Sequence, residues 1–184
     1  MISAVLDACV LYPAPLRDFL LRLAEDKLIS PFWSEKIQDE WTYHLLRNYP
    51  DSRPERIRRK MSVHFPNSIV QGYESVTPTL QLPDQKDRHV LATAIYVKAE
   101  YIVTFNLKHF PESALQPHGI EAISPDEIVL RIVQKRPIRI LLTIKKHRAG
   151  FKRPPLSVDE YLTMLERQGL AQTVAFLREH LADI

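Results

Sequence analysis

Leu82–Pro111 reads LPDQKDRHVLATAIYVKAEYIVTFNLKHFP. Asp84 stands where a helix N-cap belongs, Asp87 follows three residues later, and Val90, Leu91, Ala94, Ile95 and Ala99 then recur at helical spacing as one apolar stripe. Tyr101–Phe105 (YIVTF) is apolar and β-prone, so the stretch predicts a helix followed by a buried strand. Asn106 and His109 come just past that strand.

Toward the N-terminus, the apolar run Ala4–Leu6 predicts another buried strand, which stops at Asp7. Pro13 and Pro15 then precede a helix whose apolar residues are Leu16, Phe19, Leu20, Leu23, Ala24 and Leu28. The segment LISPFW (28–33) reads either as a brief extended piece or as a connection. Ser34 looks like the N-cap of a helix carrying Ile37, Trp41 and Leu45 on one face, with Glu40 beside it, and a further helix starts near Pro54 and passes Ile57 and Met61. Trp33 and Trp41 are expected in the core. Strand, helices and strand joined by long crossovers predict an α/β domain with a parallel sheet.

Beyond residue 123 the character changes. SPDE (124–127) and SVDE (157–160) are both capping boxes, Pro137 interrupts between them, and Gly169 separates a final pair of short helical patterns. The C-terminal third is therefore expected to be helical, with Gly150 and the RPP at 153–155 as its clearest linker.

A chain of 184 residues with 45% hydrophobic content can bury one domain, or one domain with a smaller appendage. No run approaches the roughly 18 apolar residues of a membrane span, and MISAVLDACVLYP lacks a basic leader and cleavage site, so a soluble cytoplasmic protein is expected. The single cysteine, Cys9, excludes an internal disulfide and reads as a packed side chain.

The net charge of +3 is unevenly spread. Met1–Glu127 holds 14 Lys/Arg against 17 Asp/Glu, whereas residues 128–158 hold nine Lys/Arg and no acid. Those nine are Arg131, Lys135, Arg136, Arg139, Lys145, Lys146, Arg148, Lys152 and Arg153. Such a block reads either as a phosphate-binding face for nucleic acid, or as a solvated helix face or one that meets an acidic neighbour.

Asp7 lies between apolar AVL and ACVLYP, where a lone buried carboxylate is costly without a cation or hydrogen bonds. In parallel α/β sheets ligands gather at the carboxyl ends of the strands, the edge that would collect Asp7, Asn106 and His109, and Asp87 joins them if its helix begins there. Clustered carboxylates repel unless a divalent cation is bound, and hard oxygen donors suit Mg²⁺ or Mn²⁺, which activate water and stabilise charge on a phosphoryl group. Asp84 reads mainly as a helix cap, and His89 as a packing or helix-surface histidine.

The segments VLDACVLYPAPLRDFLLRLAEDKL, PFWSEKIQDEW and the opening stretch, in that order, resemble the acid-bearing segments of PIN domains, specifically VapC-type ribonuclease toxins with a helical C-terminal extension. The resemblance implies a PIN-like nuclease domain over residues 1–127, a parallel sheet flanked by helices, and a helical extension over 128–184, basic in its first half. It makes Asp7 the first acid, Glu40 the second and Asp87 the third of a metal site. It implies metal-dependent cleavage of RNA, homodimerisation and inhibition by a cognate antitoxin protein.

One position departs from the family pattern. The family segment after the last strand reads Asn, two residues, Asp, Phe; here NLKHF keeps Asn106 but places His109 where the acid stands. A neutral imidazole still ligates Mn²⁺ or shuttles protons near pH 7, or it weakens the metal site. Two readings follow: a Mg²⁺/Mn²⁺-dependent endoribonuclease with Asp7, Glu40, Asp87, Asn106 and His109 as catalytic residues, or a catalytically weakened PIN-like module that binds RNA or a protein partner.

Overall fold

The pairing of two strands fixes where the chemistry-bearing residues emerge. In the computed structural model, which describes residues 1–184, β1 (Ile2–Leu6) and β4 (Tyr101–Val103) run parallel with Leu6 opposite Val103, so Asp7 and Thr104 leave the sheet side by side. β2 (Ile29–Ser34) neighbours β1 on its other side, β3 (Ile69–Val70) pairs in parallel with β2, and β5 (Glu121–Ile123) pairs in parallel with β4. The result is a five-stranded parallel sheet in the order β3-β2-β1-β4-β5, flanked by helices.

In chain order the helices are α1 (Ala8–Leu11), α2 (Ala14–Glu25), α3 (Glu35–Asn48), α4 (Pro54–His64), α5 (Arg88–Val97), α6 (Glu112–Leu115), α7 (Pro125–Lys135), α8 (Pro137–Gly150), α9 (Val158–Arg167) and α10 (Ala171–Arg178). None is long and apolar enough to cross a membrane. The chain forms two compact units, Met1–Tyr12 with Ser30–Ile123, and Pro13–Ile29 with Ser124–Ile184.

In the first unit α5 packs on β1 and β4 through Val90, Leu91 and Ala94, which are fully buried with Val5, Leu6, Ile102 and Val103. Trp33 and Trp41 are buried as well. The strands β3 and β5 have only two and three residues, too few for an alternation to show in the sequence. The strand expected over 101–105 ends at Val103, and Thr104 and Phe105 begin the turn that carries Asn106.

Two helices end earlier than their apolar stripes. α2 stops at Glu25 and α5 at Val97, and in each case a lysine takes the left-handed conformation (Lys27, φ 57°; Lys98, φ 53°). The next residue then bonds back five positions, Leu28 N to the Leu23 carbonyl and Ala99 N to the Ala94 carbonyl, each at 2.9 Å. This closure buries the apolar residue just past the helix, which is why Leu28 and Ala99 read as part of the stripe.

In the second unit α2 packs with α8 and α9, and α7 with α8 and α10. Both capping boxes form: Ser124 and Glu127 open α7, and Ser157 and Glu160 open α9. Asp126, inside the first box, is buried and accepts bonds from the backbone N–H groups of Gln172 (2.8 Å) and Thr173 (2.9 Å) and from the Thr173 hydroxyl (2.6 Å), capping α10. A carboxylate there satisfies orphan donors and complements the helix dipole.

Candidate active site

Asp7 follows the last residue of β1 and is 5% exposed. Its Oδ1 accepts from Ala8 N at 2.6 Å as the cap of α1, and its Oδ2 accepts from the Thr104 hydroxyl at 2.6 Å and the Cys9 thiol at 3.2 Å. Thr104 Oγ1 accepts from Asn106 N (3.0 Å), while Cys9 Sγ accepts from Phe105 N (3.3 Å). The hydrogen bonds that a buried carboxylate needs are thus supplied locally. Burial, and then the Asp7 charge, push the Cys9 thiol up to about 12, so it stays protonated at neutral pH and can act as a donor.

Asp84 caps a short 3₁₀ turn, Gln85–Asp87, by accepting from Lys86 N at 2.9 Å; α5 begins only at Arg88. Asp87 occupies the N-cap position of α5 without a capping bond from its side chain. Its Oδ2 instead lies 2.7 Å from His109 Nδ1. Burial shifts the Asp87 carboxyl upward, the hydrogen bond from His109 opposes that shift, and the neighbouring Asp7 charge adds to it.

Glu40 projects from α3, with Oε1 2.8 Å from His89 Nε2. The pair is at ion-pair distance but out of hydrogen-bond alignment, and neither ring nitrogen of His89 has an aligned partner. His89 is buried, so of its two expected settings the structure gives packing.

Asp7, Glu40, Asp87, Asn106 and His109 all line one cavity of about 540 Å³ at the carboxyl edge of the sheet. Within it, ligand atoms of Asp84, Asp87 and His109 come within 4.8 Å of one another, whereas Asp7 and Glu40 line the cavity outside that trio. Carboxylate oxygens with one imidazole form a donor set for a hard or borderline divalent cation. Asp7 Oδ1, with one accepted bond, keeps a lone pair for a further partner.

The C-terminal matched segment and the N-terminal one are distinct. Residues 3–108 match the PIN domain, and residues 125–179 match the VapC50 C-terminal domain. The chain belongs to the PIN-domain family. A 45-residue stretch is 60% identical to a Mycobacterium tuberculosis (strain ATCC 25618 / H37Rv) protein described as "Putative ribonuclease VapC50", and that alignment covers 24% of this chain and 27% of the relative. No solved structure matches the chain. All five expected site residues of this PIN domain reach one cavity; Asn106 does so from the last residues of the PIN match and His109 from just past its end.

Several residues in or behind the site had no sequence signal. Thr104 looked like the continuation of a β-prone run, although a polar residue at the carboxyl end of a buried strand is a position worth reading. Cys9 touches the first acid, and Tyr12, His44 and Asn48 also line the cavity. Of the basic block, Lys135, Arg136, Lys145, Lys152 and Arg153 are exposed. Three others bond within their own unit: Arg139 donates to the Asp26 carbonyl (2.8 Å), Lys146 to the Asp26 carboxylate (3.3 Å), and Arg148 to the Leu156 and Ile184 carbonyls (3.3 Å each). Arg131, on α7, is half-buried.

Proposed function

We propose that this PIN protein is a Mg²⁺/Mn²⁺-dependent endoribonuclease, the toxin of a toxin–antitoxin pair. The supporting observation is the meeting of Asp7, Glu40, Asp87, Asn106 and His109 around one cavity at the carboxyl edge of a parallel sheet. The relative described as "Putative ribonuclease VapC50" supports the same reading.

Asp7 and Asp87 would hold the cation directly, with Glu40 holding it or its water. When bound, the cation would lower the pKa of a water and neutralise charge developing on the phosphoryl group. Thr104, Cys9 and Ala8 N fix the Asp7 carboxylate through the bonds they donate, so it needs little reorganisation to serve as a ligand. With Asp87 ionised, His109 donates from Nδ1, and its neutral tautomer leaves Nε2 as an acceptor for a water proton or a ligand. Asn106 would orient the attacking water or the scissile phosphate. The basic residues between Arg131 and Arg153 would track the RNA backbone, residues 1–127 would carry the nuclease site, and the protein would act in the cytoplasm as a homodimer held in check by an antitoxin.

The test compares RNA cleavage by the wild type and Asp7→Asn in Mn²⁺, Mg²⁺ and EDTA. Cleavage by the wild type only with a divalent cation, and its loss in Asp7→Asn, is expected. Equal activity in every condition sinks the metal-site reading. The contact of His109 with Asp87 also favours a second reading, a weakened enzyme that captures RNA or a protein, because imidazole occupies an oxygen of the third acid. His109→Asp separates the two: a large gain in cleavage marks the natural residue as a brake.

A further inference from the structure

We propose that Tyr12, His44 and Asn48 form a nucleobase subsite beside the acids, holding one unpaired RNA base next to the scissile phosphate. The inference deepens the nuclease reading and rests on it. Glu40, His44 and Asn48 stand at successive four-residue steps along α3, so one helix face presents an acid and then two groups suited to a base. Each step advances about 6 Å along the helix axis, so along α3 His44 lies about 6 Å and Asn48 about 12 Å from Glu40.

All three residues line the same cavity as Asp7 and Asp87. The rings of Tyr12 and His44 meet edge to face, with centroids 6.4 Å apart and planes at 80°, and Tyr43 meets His44 on a further side at 5.5 Å. His44 is exposed, so its imidazole is within reach of a stacking base. Asn48 Nδ2 donates to the Tyr12 hydroxyl at 2.8 Å, which orients the amide and leaves its carbonyl and second N–H for the edge of a base. Lys86, on the acidic side of the cavity, supplies a cation for a phosphate. Aromatic stacking with amide readout is how single-stranded RNA bases are held when no duplex shields them, and a splayed base is what a nuclease cutting within a single strand has to accommodate.

The probe is a pair of labelled hexamers with the same number of phosphates, one carrying uracil or adenine bases and one made wholly of abasic ribose, bound in EDTA and followed by anisotropy. Equal charge cancels the backbone contribution. The wild type is expected to favour the base-bearing strand by at least about fivefold, the lower limit for one stacked base. The His44→Ala/Asn48→Ala double variant, altered at exposed helix positions, should lose that preference while binding the abasic strand as the wild type does. Equal binding of the two strands by the wild type, or a preference that survives the double substitution, overturns the subsite. Cleavage in Mn²⁺ measured alongside separates the two ideas: base preference without cleavage keeps the subsite and removes the nuclease reading, and cleavage without preference does the reverse.

Discussion

His109 Nδ1 lies 2.7 Å from Asp87 Oδ2, joining the one residue that departs from the expected family pattern to the third acid of the proposed metal site. The pair arises because Asp87 leaves the capping of the 3₁₀ turn to Asp84 and keeps its own carboxylate for a partner across the cavity. A carboxylate bonded to one ring nitrogen fixes the imidazole's tautomer and orientation, the arrangement by which proteins tune histidines beside metals.

Removal of that imidazole should weaken cation binding rather than the fold. His109→Ala is expected to lower Mn²⁺ affinity by about 10- to 100-fold, the usual effect of losing such a support. Isothermal titration with Mn²⁺ in the absence of RNA measures it, with the thermal midpoint as a control. Unchanged affinity would place His109 outside the cation's surroundings.

The Cys9 thiol offers a chemical readout of its burial. With the thiol raised to about 12 by burial and the Asp7 charge, alkylation by iodoacetamide at pH 8 should run about a thousandfold or more below that of an ordinary cysteine. Asp7→Asn removes the second of those causes, so alkylation should quicken in that variant. The sign extends to stability: a thiol raised in the folded state helps folding below its unfolded pKa of about 8.5, and that help is lost as pH climbs toward 12.

Asp7 and Asp87 were legible in the sequence because each interrupts an apolar pattern at an element boundary, Asp7 just after β1 and Asp87 just before α5, whereas Glu40, inside α3, was singled out only by the family resemblance. What the sequence concealed depends on long-range pairing. Thr104 reaches Asp7 only because β1 and β4 pair in register, and 97 residues separate them. The edge strands β3 and β5 are too short to carry a pattern. The apolar stripe of α2 shows that a face is buried but not that α8 and α9 bury it. The placement of His147 was equally hidden, since a histidine within a basic run reads as solvated.

His147 is instead buried, with Nδ1 2.9 Å from the Tyr161 hydroxyl and Nε2 3.0 Å from Asp18 Oδ2. His147→Leu strands a buried hydroxyl, whose pKa burial already drives upward, and should cost about 1–3 kcal/mol in chemical denaturation. The hydrogen bond from His147 also holds the Asp18 carboxyl below its ordinary value. The stability it contributes is present above about pH 4 and is lost as pH falls through the lowered pKa. Because the Asp18 side chain is largely exposed, solvent screens this contribution, and the variant's acid-side decline should be only slightly flatter than the wild type's.

The basic block divides by what each cation already holds. Lys135, Arg136, Lys145, Lys152 and Arg153 are exposed, whereas Arg148 is half-buried and donates to two carbonyls, one of them from the C-terminal Ile184. If the exposed group tracks RNA, each substitution to Ala that removes a phosphate contact should reduce the slope of log affinity against log salt by about 0.7, the single-strand value per phosphate. Arg148→Ala should chiefly lower the thermal midpoint, because it leaves two part-buried carbonyls without their donor. Filter binding of single-stranded RNA across a salt series reads the first effect, and calorimetry reads the second. A block that instead serves an acidic antitoxin segment would leave RNA affinity and its salt slope intact in the five variants while weakening the protein complex.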